Sequence, residues 1–147
     1  MTTIDAMTRQ ALESLRDADT HRIHIAATGA GAGLQALLWS MPGCSRLLSG
    51  ASFPYAQGET DALLGHSPGR YAVSETAVDL AVSAYLKARR ACGEKHAAVG
   101  VGIAASVASL EEHRGDHRVH VAVLLKDRAV VTSAVLTKGR GLEAREL

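Results

Sequence analysis

The feature that most constrains this chain is an apolar segment that runs into a cluster of glycines and then into an apolar helix pattern. His21 to Ala27 alternates around Ile23 and Ile25, as a strand does. Thr28-Gly29-Ala30-Gly31-Ala32-Gly33 follows, and Leu34–Met41 is apolar at helical spacing until Pro42-Gly43 stops it. A strand, a glycine turn and a helix in this order open an α/β sheet, in which ligands bind just beyond the carboxyl ends of the strands. Glycines let the backbone approach a ligand closely, and the N–H groups that start a helix attract anions. The turn Thr28–Gly33 is therefore the first candidate site, suited to a phosphate or a carboxylate. The competing reading is a turn whose glycines serve tight packing alone.

The rest of the pattern extends the same architecture. Ile4, Met7, Ala11, Leu12 and Leu15 fall on one face of a first helix that Thr2 or Thr3 can cap, and Asp17–Thr20 ends it. Leu47–Ala56 holds a short strand that Pro54 marks as an edge. Gly58–Leu64 is a short helix, and Ser67-Pro68-Gly69 a turn. Ser74 is a candidate N-cap for a helix to about Ala91, with Glu75 at its positive end and Lys87, Arg89 and Arg90 at its negative end. Its predicted buried face is Val78, Ala81, Ala84, Tyr85 and Ala88. Ala97–Ala105 reads as a central strand covered on both faces. His117–Leu125 and Ala129–Thr137 form an antiparallel hairpin around Lys126-Asp127-Arg128. Leu142–Leu147 begins a helix pattern that stops with the chain, which predicts a natural continuation, such as a fused C-terminal domain. The expected fold is α/β, a three-layer α/β/α sandwich with a mixed sheet, over a single domain 1–147.

Composition narrows the partners. A formal net charge of +1 offers no electrostatic grip on nucleic acid or anionic lipid, and 3% aromatic residues leave few stacking platforms. Ala97–Leu110 is shorter than the ~20 residues of a membrane span, and Met1–Leu15 is not a signal peptide. Cys44 and Cys92 lie far apart and read as reduced thiols. These features predict a cytoplasmic protein. Gly31-x-Gly33-x-x-Ala36 matches the dinucleotide fingerprint in form, but Gln57 stands where its ribose-binding acid belongs, so the match is weak.

The order of segments from about Ile23 onward resembles the C-terminal domain of the CinA family, the nicotinamide-nucleotide amidohydrolase domain. The family's Glu-Ser-x-Thr-Gly-Gly turn corresponds to Ala27-Thr28-Gly29-Ala30-Gly31-Ala32, and its Pro/Ala-Gly-Ser-Ser step to Pro42-Gly43-Cys44-Ser45. Its Tyr-Ser-Asn-x-x-Lys motif corresponds to Tyr55-Ala56-Gln57-Gly58-Glu59-Thr60. Ala-Val-Ser-Glu is unchanged at Ala72-Val73-Ser74-Glu75, and Gly-Ile-Ala-Gly-Pro becomes Gly102-Ile103-Ala104-Ala105-Ser106. The resemblance implies hydrolysis of the carboxamide of nicotinamide mononucleotide, with Thr28 as nucleophile and Tyr55 and Thr60 in the assisting positions. It also implies ligand contacts from Gly29, Ala30, Gly31, Ser45, Gly102 and Ser106, a homo-oligomer, and neither metal nor cofactor.

The departures fall on the chemistry. A hydroxyl nucleophile needs a base, and a tetrahedral oxyanion needs donors. Thr28 replaces serine and adds a methyl group that restricts its rotamers, Thr60 replaces the lysine, and the turn's acid and threonine are Ala27 and Ala30. Two functions follow: a degenerate domain that keeps a nucleotide or small-ligand pocket, or an active amidohydrolase that uses Thr28.

Other polar residues take simpler readings. Glu111–His120 is dense in possible metal ligands, yet Gly115 breaks helical spacing, and a solvated loop explains it better. His24 is expected to be structural, facing away from Ile23 and Ile25, and Trp39 to pack in the core or an interface. Ser45 and Ser106 fit capping as well as ligand binding.

Overall fold

A computed structural model describes residues 3–106 and 117–136. Helix α1 (Thr3–Ala18) leads into strand β1 (His21–Thr28), helix α2 (Ala32–Ser40), a 3-10 turn (Cys44–Arg46) and strand β2 (Leu48–Ser52). Helices α3 (Gln57–Leu64) and α4 (Ser74–Cys92) precede strands β3 (Ala97–Ser106), β4 (His117–Leu124) and β5 (Ala129–Leu136). The strands form one five-stranded sheet in the order β2-β1-β3-β4-β5. β1 pairs in parallel with β2 and β3, whereas β3–β4 and β4–β5 are antiparallel. The mixed α/β sheet read from the sequence is the one observed. The predicted solvated loop 111–116 and the final turn and helix pattern lie outside the described residues.

Period-two alternation sorts the strand side chains onto two faces. Ile23, Ile25, Ala27, Val99, Val101 and Ile103 pack with Leu38, Met41 and Leu47 on the α2 side. Ala26, Ala104 and Ala122 pack with Ala77, Leu80, Ala81 and Ala84 on the α4 side. The sheet thus lies between two helical layers, as expected. α1 joins the first layer through Leu12 and through Arg16 Nη1, which donates to the Pro42 carbonyl at 2.9 Å. Met7 and Leu15, which the sequence places on one face with Leu12, remain exposed.

The buried face of α4 differs from the sequence expectation. Thr76, Ala77 and Leu80 are buried with Ala81, Ala84 and Ala88, while Val78 and Tyr85 are only partly covered. The cause lies on β3. A Cβ on Gly100 would sit 2.2 Å from the Ala81 carbonyl oxygen, and one on Gly102 would sit 2.0 Å from that of Ala77. Two glycines on the sheet let the helix backbone press against it, so the alanine stripe turns inward and the bulkier residues move to the flanks. Val73, in extended conformation, occupies the cap position of α4; Ser74 is the first helical residue, and its hydroxyl donates to Glu75 at 3.4 Å instead of capping the backbone.

Strand β2 is the short edge that Pro54 announces, and β5 is the opposite edge, exposed along nearly its whole length. Among the described residues no helix is long and apolar enough to cross a membrane. Cys44 and Cys92 are free and half-buried.

Candidate functional site

β1 carries the chain into the glycine turn at the carboxyl end of the parallel strands. Thr28 is the last strand residue and lies opposite Ala104 of β3. Gly29 then takes φ +87°, and a Cβ there would stand 2.1 Å from the Ala105 carbonyl oxygen. Gly31 takes φ +106°, with Ile103 Cδ1 3.0 Å and Ala27 Cβ 3.2 Å from where its Cβ would be. Only glycine satisfies both the positive φ and the close approach. Gly31 is also the cap residue of α2 and supplies no side chain, so the opening N–H groups of α2 have no side-chain acceptor. Those donors face the end of the sheet where ligands bind in folds of this kind.

Other groups converge on the same end. α4 runs antiparallel to the parallel strands, since Ala77 lies over Gly102 and Ala81 and Tyr85 over Gly100. Its N-terminus, with Ser74 and Glu75, therefore reaches the carboxyl end beside Ala104 and Ser106. Tyr55 follows the end of β2 and is 71% exposed. Ser106 is partly buried and opposite Arg118 of β4. Thr28, Gly29, Ala30, Gly31, Tyr55 and Ser106 are thus gathered at one end of the sheet.

The remaining predicted positions are placed elsewhere. Ser45 lies in the 3-10 turn before β2, and Leu48 of β2 is level with Ile23, five residues or about 16 Å of strand from Thr28. Gly102 is sealed beneath α4. Thr60 has no exposed surface; its hydroxyl donates at 3.5 Å to the Ala56 carbonyl one helical turn back. Its environment is that of a packed core residue of α3.

Two histidines on the α4 face complete the picture. His24 is buried, its Nε2 lies 3.0 Å from Ser52 Oγ, and Gly50 makes room for its ring. Burial, and secondarily the Lys87 ammonium, hold its pKa below the usual histidine value. This is the structural histidine read from the sequence. His120 was not singled out there as a site residue. It shares a row of the sheet with Thr28, Ala104 and Ser133, and its Nδ1 lies 2.6 Å from Ser133 Oγ. Strand alternation places His120 on the α4 face once the register is known, but the sequence does not supply that register.

A cleft of about 810 Å³ opens at the opposite end of the sheet, between His21, Tyr85, Arg89 and Lys126. Several of its charged groups are engaged: Asp19 meets Arg22, outside the lining, at 2.8 Å and His96 at 3.8 Å, and Arg89 meets Glu94 at 3.7 Å. Volume alone does not make it the better site, because the glycine turn, the uncapped helix start and Tyr55 lie at the other end. No cluster of potential metal ligands occurs among the described residues.

No protein-family model matches the chain, and no curated protein matches it in sequence. Solved structures do match. A competence-damaged protein (CinA) superfamily protein from Escherichia coli superposes with a TM-score of 0.71 at 14% identity, over 93% of this chain and 81% of that one. A CinA superfamily protein from Enterobacter cloacae gives 0.69 at 16%, over 93% and 80%. The competence/damage-inducible protein CihA from Agrobacterium tumefaciens gives 0.67 at 17%, over 92% and 81%. The chain has the fold of these proteins at very low sequence identity.

Proposed function

We propose that this CinA-like domain binds a nucleotide or a similar small anionic ligand at the carboxyl end of its parallel strands and has lost amidohydrolase chemistry. The observation that carries this reading is the state of Thr60. At the position where the resembled family carries lysine, this chain has a residue with no exposed surface and a hydroxyl directed at its own helix. Without a cation or base at position 60, the side chain that the resemblance assigns to assist Thr28 and the leaving amide nitrogen is missing. Tyr55 alone is a weak substitute, since a neutral phenol is a poor base and carries no positive charge.

Retention of the pocket rests on different residues. Gly29 and Gly31 keep the left-handed backbone that presents the opening N–H groups of α2. A phosphate or carboxylate fits donors of that kind through charge-assisted hydrogen bonds. Binding needs only this preorganised backbone, whereas amide hydrolysis needs the missing side chains as well.

The test is ammonia release from nicotinamide mononucleotide. We expect none above background from the wild-type chain, and none from Thr28→Ala. Ammonia release by the wild type that Thr28→Ala removes would establish the alternative, an active amidohydrolase with a threonine nucleophile.

A further inference from the structure

The cleft at the amino-terminal ends of β1 and β3 has the size of a small-molecule site, and its walls come from separate segments. Its volume of about 810 Å³ lies within the ~300–1,000 Å³ of such sites. Tyr85 and Arg89 of α4, Lys95 and His96 of the α4–β3 connection, His21 of β1 and Lys126 of the β4–β5 turn all line it. Gly100 fixes one wall. A Cβ there would stand 2.4 Å from the Tyr85 nitrogen and 2.8 Å from its Cα, so the backbone of Tyr85 is pressed onto β3. The lining charges divide into those that are engaged and those that are not. Arg89 donates to the Gly93 carbonyl at the end of α4 and meets Glu94 at 3.7 Å. Asp19 holds Arg22 and lies 3.8 Å from His96, and His21 Nδ1 lies 2.7 Å from Thr20 Oγ1. Lys95, Lys126 and the Tyr85 hydroxyl have no hydrogen-bond or ion-pair partner among the described residues. Asp127, next to Lys126 in the turn, is the one lining carboxylate without a cation partner among them.

We propose that this cleft is a second ligand site, separate from the glycine turn, and that it takes a phosphate monoester with a flat apolar body. Its unengaged groups are two ammonium groups and a phenol against one carboxylate, so donors exceed acceptors and the excess charge is positive. An ammonium is a compact point charge that suits phosphate oxygens, and two of them from different segments match a dianion better than a monoanion. Tyr85, Leu125 and Ala98 offer apolar surface for the body of such a ligand, with the phenol hydroxyl as a further donor at its edge. Because β3 already holds the Tyr85 backbone, binding has mainly to order the two lysine side chains. The cleft differs from the glycine turn in kind and in place. That turn offers backbone N–H groups, whereas the cleft offers side-chain cations, and β1 rises about 23 Å between His21 and Thr28. Both sites can therefore be filled at once.

The probe is phenyl phosphate, titrated into the full chain by calorimetry and located by proton–nitrogen correlation spectra. The expected result is a Kd of about 1 mM at low salt that weakens as salt is added, with amide shifts at His21, Ala98, Leu125 and Lys126. Lys95→Ala and Lys126→Ala, both at exposed positions, should each weaken binding about three- to fivefold and together about tenfold, with the far-ultraviolet circular dichroism unchanged. Benzyl alcohol, which has the ring without the charge, should shift nothing at the same concentration. Absence of binding at tens of millimolar phenyl phosphate overturns the proposal. Shifts confined to Gly29 and Gly31 overturn it too, because they send the phosphate to the glycine turn. An affinity that survives the double substitution, or equal binding of benzyl alcohol, would leave an apolar cleft with no need of an anion and equally overturns it.

Discussion

At the scale of single residues, function and structure divide along Thr28 and Thr60. The sequence shows that both replace the residues of the resembled motif, but it cannot show burial. Thr60 could have been a hydroxyl in the site, and only the packing of α3 reveals it as a core residue. His24 illustrates the reverse case, because its alternation with Ile23 and Ile25 already placed it on the other face of β1. Its burial carries a consequence for stability. The folded protein disfavours the imidazolium, whereas the unfolded chain protonates at the ordinary histidine pKa of about 6.5. Stability from this site is therefore complete above about pH 6.5 and declines as the pH falls below it, since the unfolded state then binds the proton first. Urea unfolding of wild type and His24→Gln at pH 8 and pH 5.5 should show a smaller acid-side loss for the variant. An equal loss in both would mean that His24 takes up its proton as easily folded as unfolded.

At the scale of elements, the period of each segment was legible and its rotation was not. The helix over Ser74–Cys92 follows from its apolar spacing and its terminal charges. Its buried face came out turned toward Ala77 and Leu80, because the determinant, Gly100 and Gly102, lies on a strand far along the chain. Glycine in a strand signals close backbone approach, but not which element approaches. The contact makes a paired prediction. Gly102→Ala pushes a methyl group against the Ala77 carbonyl and should destabilise by about 1–3 kcal/mol. Gly58→Ala, in α3 with open space around its Cβ, should stabilise by about 0.5–1 kcal/mol. Chemical denaturation measures both, and comparable effects of one sign would contradict the packing described for α4 on β3.

At the scale of the whole molecule, the parallel strands, the late antiparallel hairpin and the turn at the carboxyl end were all readable from segment order. What local sequence could not supply was the register that fixes distances between segments. Ser45 follows the motif order, yet it falls toward the opposite end of β1 from Thr28, because motif order says nothing about which end of a strand a loop occupies. The same limit hid the row that joins Thr28, His120 and Ser133. The central claim is that the glycine turn still forms a pocket although the reactive groups around it are gone. Its most direct test is a thermal-shift titration of wild type and Gly29→Ala with nicotinamide mononucleotide. At ligand about 100-fold above Kd the account predicts about 2.7 kcal/mol of stabilisation for the wild type, or about 5–10 °C in Tm. It predicts no shift for Gly29→Ala, whose methyl group collides with the Ala105 carbonyl and displaces the turn. A wild type that gains nothing at saturating ligand, or a Gly29→Ala chain that gains as much as the wild type, would contradict it.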